Sequence, residues 1–282
     1  MDLVRTIEQI RRQVQGSRAS GRSVGFVPTM GALHEGHGRL IDEARRETGF
    51  VVVSIFVNPL QFGPSEDFAR YPRDIEEDLA FCRKRGVDAV FAPDVGELYP
   101  QEQKAFVEVP DLTRELCGRF RPGHFKGVTT VVLKLLNIVQ PDRVYFGEKD
   151  AQQLKAVERM VRDLNVPTLV VPVAIVRESD GLALSSRNRY LSESDRRTAP
   201  ALYQALQAGL AALDAGAREA SAILAAVDRV LGEHPGLRKE YVEVVDAELM
   251  APVASVDGPV RIMAAAWLGK TRLIDNVYWK EE

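Results

Sequence analysis

Short, continuous apolar runs recur along the first 176 residues, and a stretch with helical spacing separates most of them from the next. That alternation leaves few folds open. The runs lie at 24–27, 51–57 ("VVVSIFV"), 89–92, 144–146 and 169–176. They are brief and β-branched, without polar alternation, as strands are when both faces of their sheet are covered. Helical patterns occupy 37–47, 74–85, 128–139 and 151–164; in the last, "AQQLKAVERMVRDL", Leu154, Val157, Val161 and Leu164 share one face. Strand–helix–strand repetition implies parallel pairing, and right-handed crossovers then give an α/β fold with a doubly wound, Rossmann-like sheet. At the N-terminus, Leu3, Ile7, Ile10 and Val14 in "MDLVRTIEQIRRQV" predict an amphipathic helix rather than a signal peptide.

The pattern changes near Arg177, where "RESDGLALSSRNRYLSESD" is polar and carries a glycine. Two Ala-rich helices are predicted at 192–213 and 219–231, followed by strands at 241–246, 260–267 and 271–277. Helices followed by adjacent strands suggest a second, smaller α+β domain. The expected division is therefore 1–176 and 177–282. No apolar run approaches the roughly 18 residues needed to span a bilayer. A formal net charge of −3 gives no general pull toward nucleic acid or an anionic membrane. Cys82 and Cys117, the only cysteines, have no metal-ligand spacing and read as reduced thiols, which suits a cytoplasmic protein.

Two of the four histidines sit in one ten-residue stretch, "PTMGALHEGH", residues 28–37, directly after the first predicted strand of the alternation. Ligands of doubly wound sheets bind beyond the carboxyl ends of the strands. Gly31 would allow positive φ and close approach of a ligand to the backbone. The helix that follows would offer free N–H groups and the positive end of its dipole, a natural phosphate site. His34 and His37 could donate to phosphate oxygens. A His-x-x-His pair also suits a metal, but metal centres need three or four ligands and no partner cluster is evident. A purely structural pair would be poorly placed there. The stretch is neither the Walker pattern nor G-x-G-x-x-G.

Further polar segments stand where packing does not call for them. "NPLQFGPSED" puts Asn58 and Gln61 after the second strand, and "RFRPGHFKGV" gathers Arg121, His124 and Lys126 about a Pro–Gly turn. "YFGEKDAQQL" carries Lys149 to a helix entrance, and "LALSSRN" sets Ser185, Ser186 and Arg187 at the domain boundary. Singly, these could be a turn, a surface lysine and a linker. With the histidine stretch counted, three segments nevertheless sit at carboxyl ends of predicted strands.

"HEGH" resembles the H-x-G-H signature of the nucleotidylyltransferase superfamily. Taken with "FVPTMGALHEGH", "NPLQFGPSED", "RPGHFKGV", "FGEKDAQQL" and "LALSSRN", it makes nearly the whole chain resemble the pantoate–β-alanine ligase (pantothenate synthetase) family. The resemblance implies a cytoplasmic homodimer that joins pantoate to β-alanine with ATP and Mg2+, through a pantoyl adenylate. It implies an ATP- and pantoate-binding domain over 1–176 and a lid over 177–282. His34, His37, Lys149 and Arg187 would be catalytic. ATP would also meet Pro28, Thr29, Met30, Gly31, Gly147, Glu148, Asp150, Val176, Leu184, Ser185 and Ser186. Pantoate would meet Gln61, Gln153, Asn58 and Arg121, and β-alanine would meet Gln61. The metal would be held mainly by ATP phosphates, with no protein ligand assigned. Gly38 and Arg39, after the second histidine, and Leu184, where many members have Met, depart from the family pattern without removing a chemical group. The competing readings are a nucleotidylyltransferase, a class I synthetase, for which the chain lacks a KMSKS-like loop, and a regulatory module that binds ATP without turnover.

Overall fold

The computed structural model describes residues 1–64 and 66–281. The chain forms two compact units, and neither is one continuous stretch. The first comprises Met1–Pro110, Arg121–Glu148 and Ala156–Ala174; the second comprises Asp111–Phe120, Lys149–Lys155 and the chain from Ile175 onward.

The first unit is built on a six-stranded parallel sheet of order β1-β4-β3-β2-β5-β6. Its strands are β1 (Asp2–Val4), β2 (Val24–Thr29), β3 (Phe50–Ile55), β4 (Ala89–Phe91), β5 (Arg143–Gly147) and β6 (Leu169–Val173). The helices along this part of the chain are α1 (Ile7–Ala19), α2 (Glu35–Glu47), α3 (Ile75–Lys84), the one-turn α4 (Val95–Leu98), α5 (Pro110–Thr113) and α6 (Cys117–Phe120), then α7 (His124–Val139) and α8 (Ala151–Asp163). Strands run outward from β2 through β3 to β4, and then from β5 to β6 on the other side. The order therefore reverses between β2 and β5, which pair at Gly25↔Arg143 and Phe26↔Val144. Beyond the carboxyl ends of such a pair lies the ligand crevice of this architecture. Val27, Val51, Val53 and Val90 pack with Leu40, Ile41 and Ala44 of α2 and Leu79 and Cys82 of α3.

Three expectations for residues 1–176 are corrected. Residues 2–4 form an edge strand beside β4, not the start of a helix; α1 begins only after Thr6, whose hydroxyl accepts from Gln9 N while the Gln9 side chain answers the cap backbone. The apolar run 169–176 leaves the sheet at Val173, and Arg177 then bridges to Ala183 in a tight antiparallel hairpin. In α8, Leu154, Val157 and Val161 are buried, but Leu164 lies past the helix end and is exposed.

In the second unit, β7 (Leu237–Asp246), β8 (Val260–Leu268) and β9 (Thr271–Trp279) form an antiparallel sheet with β8 central. The helix expected over 192–213 is two helices, α9 (Glu193–Thr198) and α10 (Ala201–Asp214), because Pro200 has no N–H to continue the ladder. Ile223, Val227 and Leu231 of α11 (Ala220–Gly232) join Leu202, Leu206 and Leu213 over the sheet. Segments 111–120 and 149–155 belong to this unit through polar contacts. The buried Gln152 amide donates to Leu112 O and Glu115 O at 3.0 and 2.8 Å and accepts from Cys117 N at 3.0 Å. Cys117 Sγ lies 3.2 Å from the Tyr241 hydroxyl.

Candidate functional site

The histidine motif is shaped by a carboxylate that was not foreseen. Gly31 (φ 81°) and Ala32 (φ 51°) are both left-handed, so successive N–H groups turn to one side. The buried Asp78 of α3 fills that concavity, accepting from Ala32 N at 3.0 Å and Leu33 N at 2.8 Å. Upstream, Thr29 donates to Ser54 O at 2.7 Å and accepts from Gly31 N at 3.2 Å, which ties the turn to β3. His34 then caps α2: its Nδ1 accepts from Gly36 N at 3.1 Å, and His37 Nδ1 accepts from His34 N at 3.3 Å. The helix entrance expected to offer free N–H groups is thus capped by its own histidines. Each Nδ1 therefore serves as a backbone acceptor, which fixes the orientation of both rings. The rings lie 4.1 Å apart, tilted by 42°. Gly38 is buried because the Arg85 guanidinium occupies the space a Cβ would need, while Arg39 is exposed and pairs with Glu43.

Asn58 and Gln61 stand on the turn after β3. The Asn58 amide is fully spent within the protein. Nδ2 donates to Gln61 Oε1 at 3.2 Å and Gly127 O at 3.1 Å, and Oδ1 accepts from Tyr99 OH at 2.8 Å and Leu60 N at 3.4 Å. Gln61 Nε2 lies 3.0 Å from Met30 Sδ, so the glutamine touches the histidine loop. Arg121 is gripped by Glu66 through bonds of 2.8 and 2.6 Å, and its Nη1 lies 3.0 Å from His124 Nε2. His124 Nδ1 in turn donates to Gln61 O at 2.8 Å. Burial raises the Glu66 carboxyl, but the hydrogen bonds and charge of Arg121 outweigh it and hold the group below its ordinary value. Gly147 and Glu148, at the carboxyl end of β5, are partly exposed.

In the second unit, Lys149 is largely buried, its Nζ 3.7 Å from Asp150 Oδ2 and its carbonyl accepting from Asn276 Nδ2 at 3.1 Å. Two neighbouring glutamines of α8 differ sharply. Gln152 spends its amide on the 112–117 backbone, whereas the half-buried Gln153 side chain makes no hydrogen bond among the described residues. Val176 O accepts from Leu184 N at 3.0 Å where the hairpin closes. Ser185 Oγ accepts from Arg187 N at 3.3 Å, capping the 3₁₀ turn Ser186–Tyr190. Ser186 is buried, and Leu184 and Arg187 are half-buried.

Among the described residues, no three His, Cys, Asp or Glu side chains gather as a metal centre. Burial, reinforced by Asp78, pushes the Cys82 thiol up to about 12, so it stays protonated at neutral pH. Residues that sequence reasoning left out of the site are Asp78, Glu66, Arg177, Asp275 and Asn276. Their signal was faint: an acid on the apolar side of α3 beside Leu79 and Cys82, and "DN" inside the apolar run of β9.

A doubly wound parallel sheet, with a capped histidine pair beyond β2 at the point where strand order reverses, puts this protein among the Rossmann-like α/β enzymes. The particular family follows from comparison. The family model Pantoate-beta-alanine ligase matches residues 2–278, and the chain belongs to that family of ligases. Pantothenate synthetase of Moorella thermoacetica is 52% identical over 277 residues, 98% of each chain. The crystal structure of pantothenate synthetase from Thermus thermophilus superposes with a TM-score of 0.93 at 48% identity, covering 98% of this chain and 99% of that one. Pantoate-beta-alanine ligase from Francisella tularensis, complexed with beta-gamma ATP and beta-alanine, gives a TM-score of 0.81 at 33% identity, covering 98% and 97%.

Proposed function

We propose that the ligase reaction proceeds in two steps. A pantoate carboxylate oxygen attacks the α-phosphorus of ATP, and pyrophosphate leaves with the broken P–O bond. The amine of β-alanine then attacks the acyl carbon of pantoyl adenylate, and AMP departs. The observation that carries this reading is the histidine pair, whose Nδ1 atoms accept from the backbone and so hold both rings at the entrance of α2, beyond β2. In the first step negative charge gathers on the α-phosphate oxygens, and fixed donors and cations lower its energy. We assign that work to His34, His37, Lys149 and Arg187. ATP contacts extend to Pro28, Thr29, Met30, Gly31, Gly147, Glu148, Asp150, Val176, Leu184, Ser185 and Ser186. No side chain of this chain is assigned to Mg2+, which would be held chiefly by the ATP phosphates and would supply charge neutralisation for the pyrophosphate leaving group.

Gln61 and Gln153 recognise pantoate, and Gln61 also meets β-alanine. The unspent amide of Gln153 supports its part, since a neutral amide both donates to and accepts from hydroxyl groups. Asn58 and Arg121 act on the same site at one remove. Asn58 holds the Gln61 side chain, and Arg121, through His124, holds the Gln61 carbonyl. The stretch 1–176 is assigned the main substrate-binding role, and 177–282, which bears Ser185–Arg187, the role of lid. The protein is further assigned to the cytoplasm as a homodimer. The unpaired edge of β6, with Leu169 exposed, supplies apolar surface for such pairing.

Pantoate labelled with 18O in both carboxylate oxygens tests the chemistry. Attack by carboxylate on the α-phosphorus gives AMP with one 18O and leaves one in pantothenate; unlabelled AMP overturns the adenylate.

A further inference from the structure

The middle of β9 reads "IDNV", and both polar residues are buried: Asp275 is 4% exposed and Asn276 1%. Burying an acid and an amide in an edge strand is costly unless every polar atom finds a partner. The partners here lead to both segments of this unit that carry proposed ATP contacts. Arg177, at the base of the hairpin leading to Ser185–Arg187, donates to Asp275 Oδ2 at 2.6 Å and Oδ1 at 2.9 Å. The same guanidinium donates to Asn276 O at 3.3 Å and Gly181 O at 3.0 Å and lies 3.7 Å over the Tyr203 ring. Asn276 is oriented from both sides. Its Oδ1 accepts from buried Arg261 at 2.7 Å, which leaves Nδ2 to donate to the Lys149 carbonyl at 3.1 Å.

We propose that Asn276, fixed by Arg261, Asp275 and Arg177, is a positioning residue that sets the Lys149 peptide in register with the Ser185–Arg187 hairpin. The inference rests on the catalytic role assigned to Lys149 above. A lysine side chain on a short turn has many rotamers, and pinning its peptide restricts where the ammonium can reach. The same residue pair, Asp275 and Asn276, pins the hairpin through Arg177, so β9 gives both elements a common reference. Preorganised charge needs such rigid support, because misplacement of about 1 Å can cost up to ~10²-fold in rate.

Asn276→Asp is the discriminating variant. It keeps the acceptor for Arg261 and loses the donor to Lys149 O. Pantoate-dependent exchange of pyrophosphate into ATP should slow by about 10-fold or more, on the scale of a misplaced catalytic group. The pantoate KM should stay within about two-fold, and β-alanine should discharge preformed adenylate at the wild-type rate. In a Lys149→Ala background the same substitution should cost almost nothing further, because the group it positions is gone. General damage to the fold would instead slow both half-reactions and persist in that background. If Asn276→Asp does not fold, Asn276→Ser carries the same comparison with a neutral side chain too short for the bond. Wild-type exchange in a folded Asn276 variant, or an equal penalty in both backgrounds, overturns the inference alone. Wild-type exchange in Lys149→Ala overturns the reading of Lys149, and the inference with it.

Discussion

Gly127 offers a sharp test of how the proposed pantoate-binding residue Gln61 is supported, because it works through packing and touches no proposed chemistry. It lies in the first turns of α7 against the turn that bears Gln61. A Cβ built on it would sit 2.5 Å from Leu60 C and 2.6 Å from Gln61 N, and closer still to Leu60 O. Ordinary carbon contacts begin near about 3.5 Å, so Gly127→Ala must drive the two backbones apart by about 1 Å. Neither is a flexible side-chain end that could swing aside. Overpacking of this kind costs about 1–3 kcal/mol, or roughly 2–12 °C in melting temperature for a chain of this size. The same shift carries Gln61 out of place and strains the bond from Asn58 Nδ2 to Gly127 O. Displacement of about 1 Å at a substrate-positioning residue can lower kcat/KM for pantoate by up to ~10²-fold, while the KM for ATP should change little. Steady-state kinetics with each substrate varied, together with a thermal melt, read both effects. Gly16→Ala is the control: Gly16 is on α1 with nothing within 4 Å of a new Cβ, so the helix should gain about 0.5–1 kcal/mol with unchanged kinetics. A Gly127→Ala enzyme with wild-type stability and pantoate kinetics would refute the reasoning.

Gln153→Ala should weaken pantoate binding by roughly 1–3 kcal/mol with an unchanged melting temperature, whereas Gln152→Ala, which strips three bonds from the 112–117 segment, should lower the melting temperature; calorimetry and pantoate titration separate them. Asp78→Ala leaves Ala32 N and Leu33 N without their acceptor in a buried turn, so stability should fall by about 1–3 kcal/mol, and pyrophosphate exchange should fall with it even though Asp78 is assigned no substrate contact. Glu66 gives the pH dependence. Its folded carboxyl is held low, so the stability it contributes is complete above the ordinary carboxylate range and is lost as pH falls through the folded value. Glu66→Gln should therefore be less stable than wild type near neutral pH, and the gap should close in acid; urea titrations across that range decide it.

The parallel sheet was legible because strand and helix periods differ and each run kept one period over several residues. The histidine pair, Gln61 and Lys149 stood out because polar groups followed strand ends. What stayed hidden depended on long-range partners. Asp78 meets Ala32 across 46 residues of chain, and Asn276 meets Lys149 across 127, distances no local pattern reports. Asn58 looked like a ligand, yet its amide is consumed inside the protein, which only the surrounding atoms reveal. Residues 111–120 fall before the predicted cut at 177, but Gln152, Tyr241 and Arg272 hold them with the second unit. A chain cut near 177 would strip these partners away, so truncation is a poor test of what each part contributes.

The proposed adenylation step assigns its charge stabilisation to the histidine pair and Lys149. The most direct measurement is exchange of labelled pyrophosphate into ATP with pantoate present and β-alanine withheld, in wild type and in Lys149→Ala. Exchange should depend on pantoate and fall by about 100-fold or more in the variant, the scale of losing one preorganised electrostatic contact. An enzyme that makes pantothenate at its full rate yet shows no exchange, or a Lys149→Ala variant that exchanges as wild type does, would contradict it.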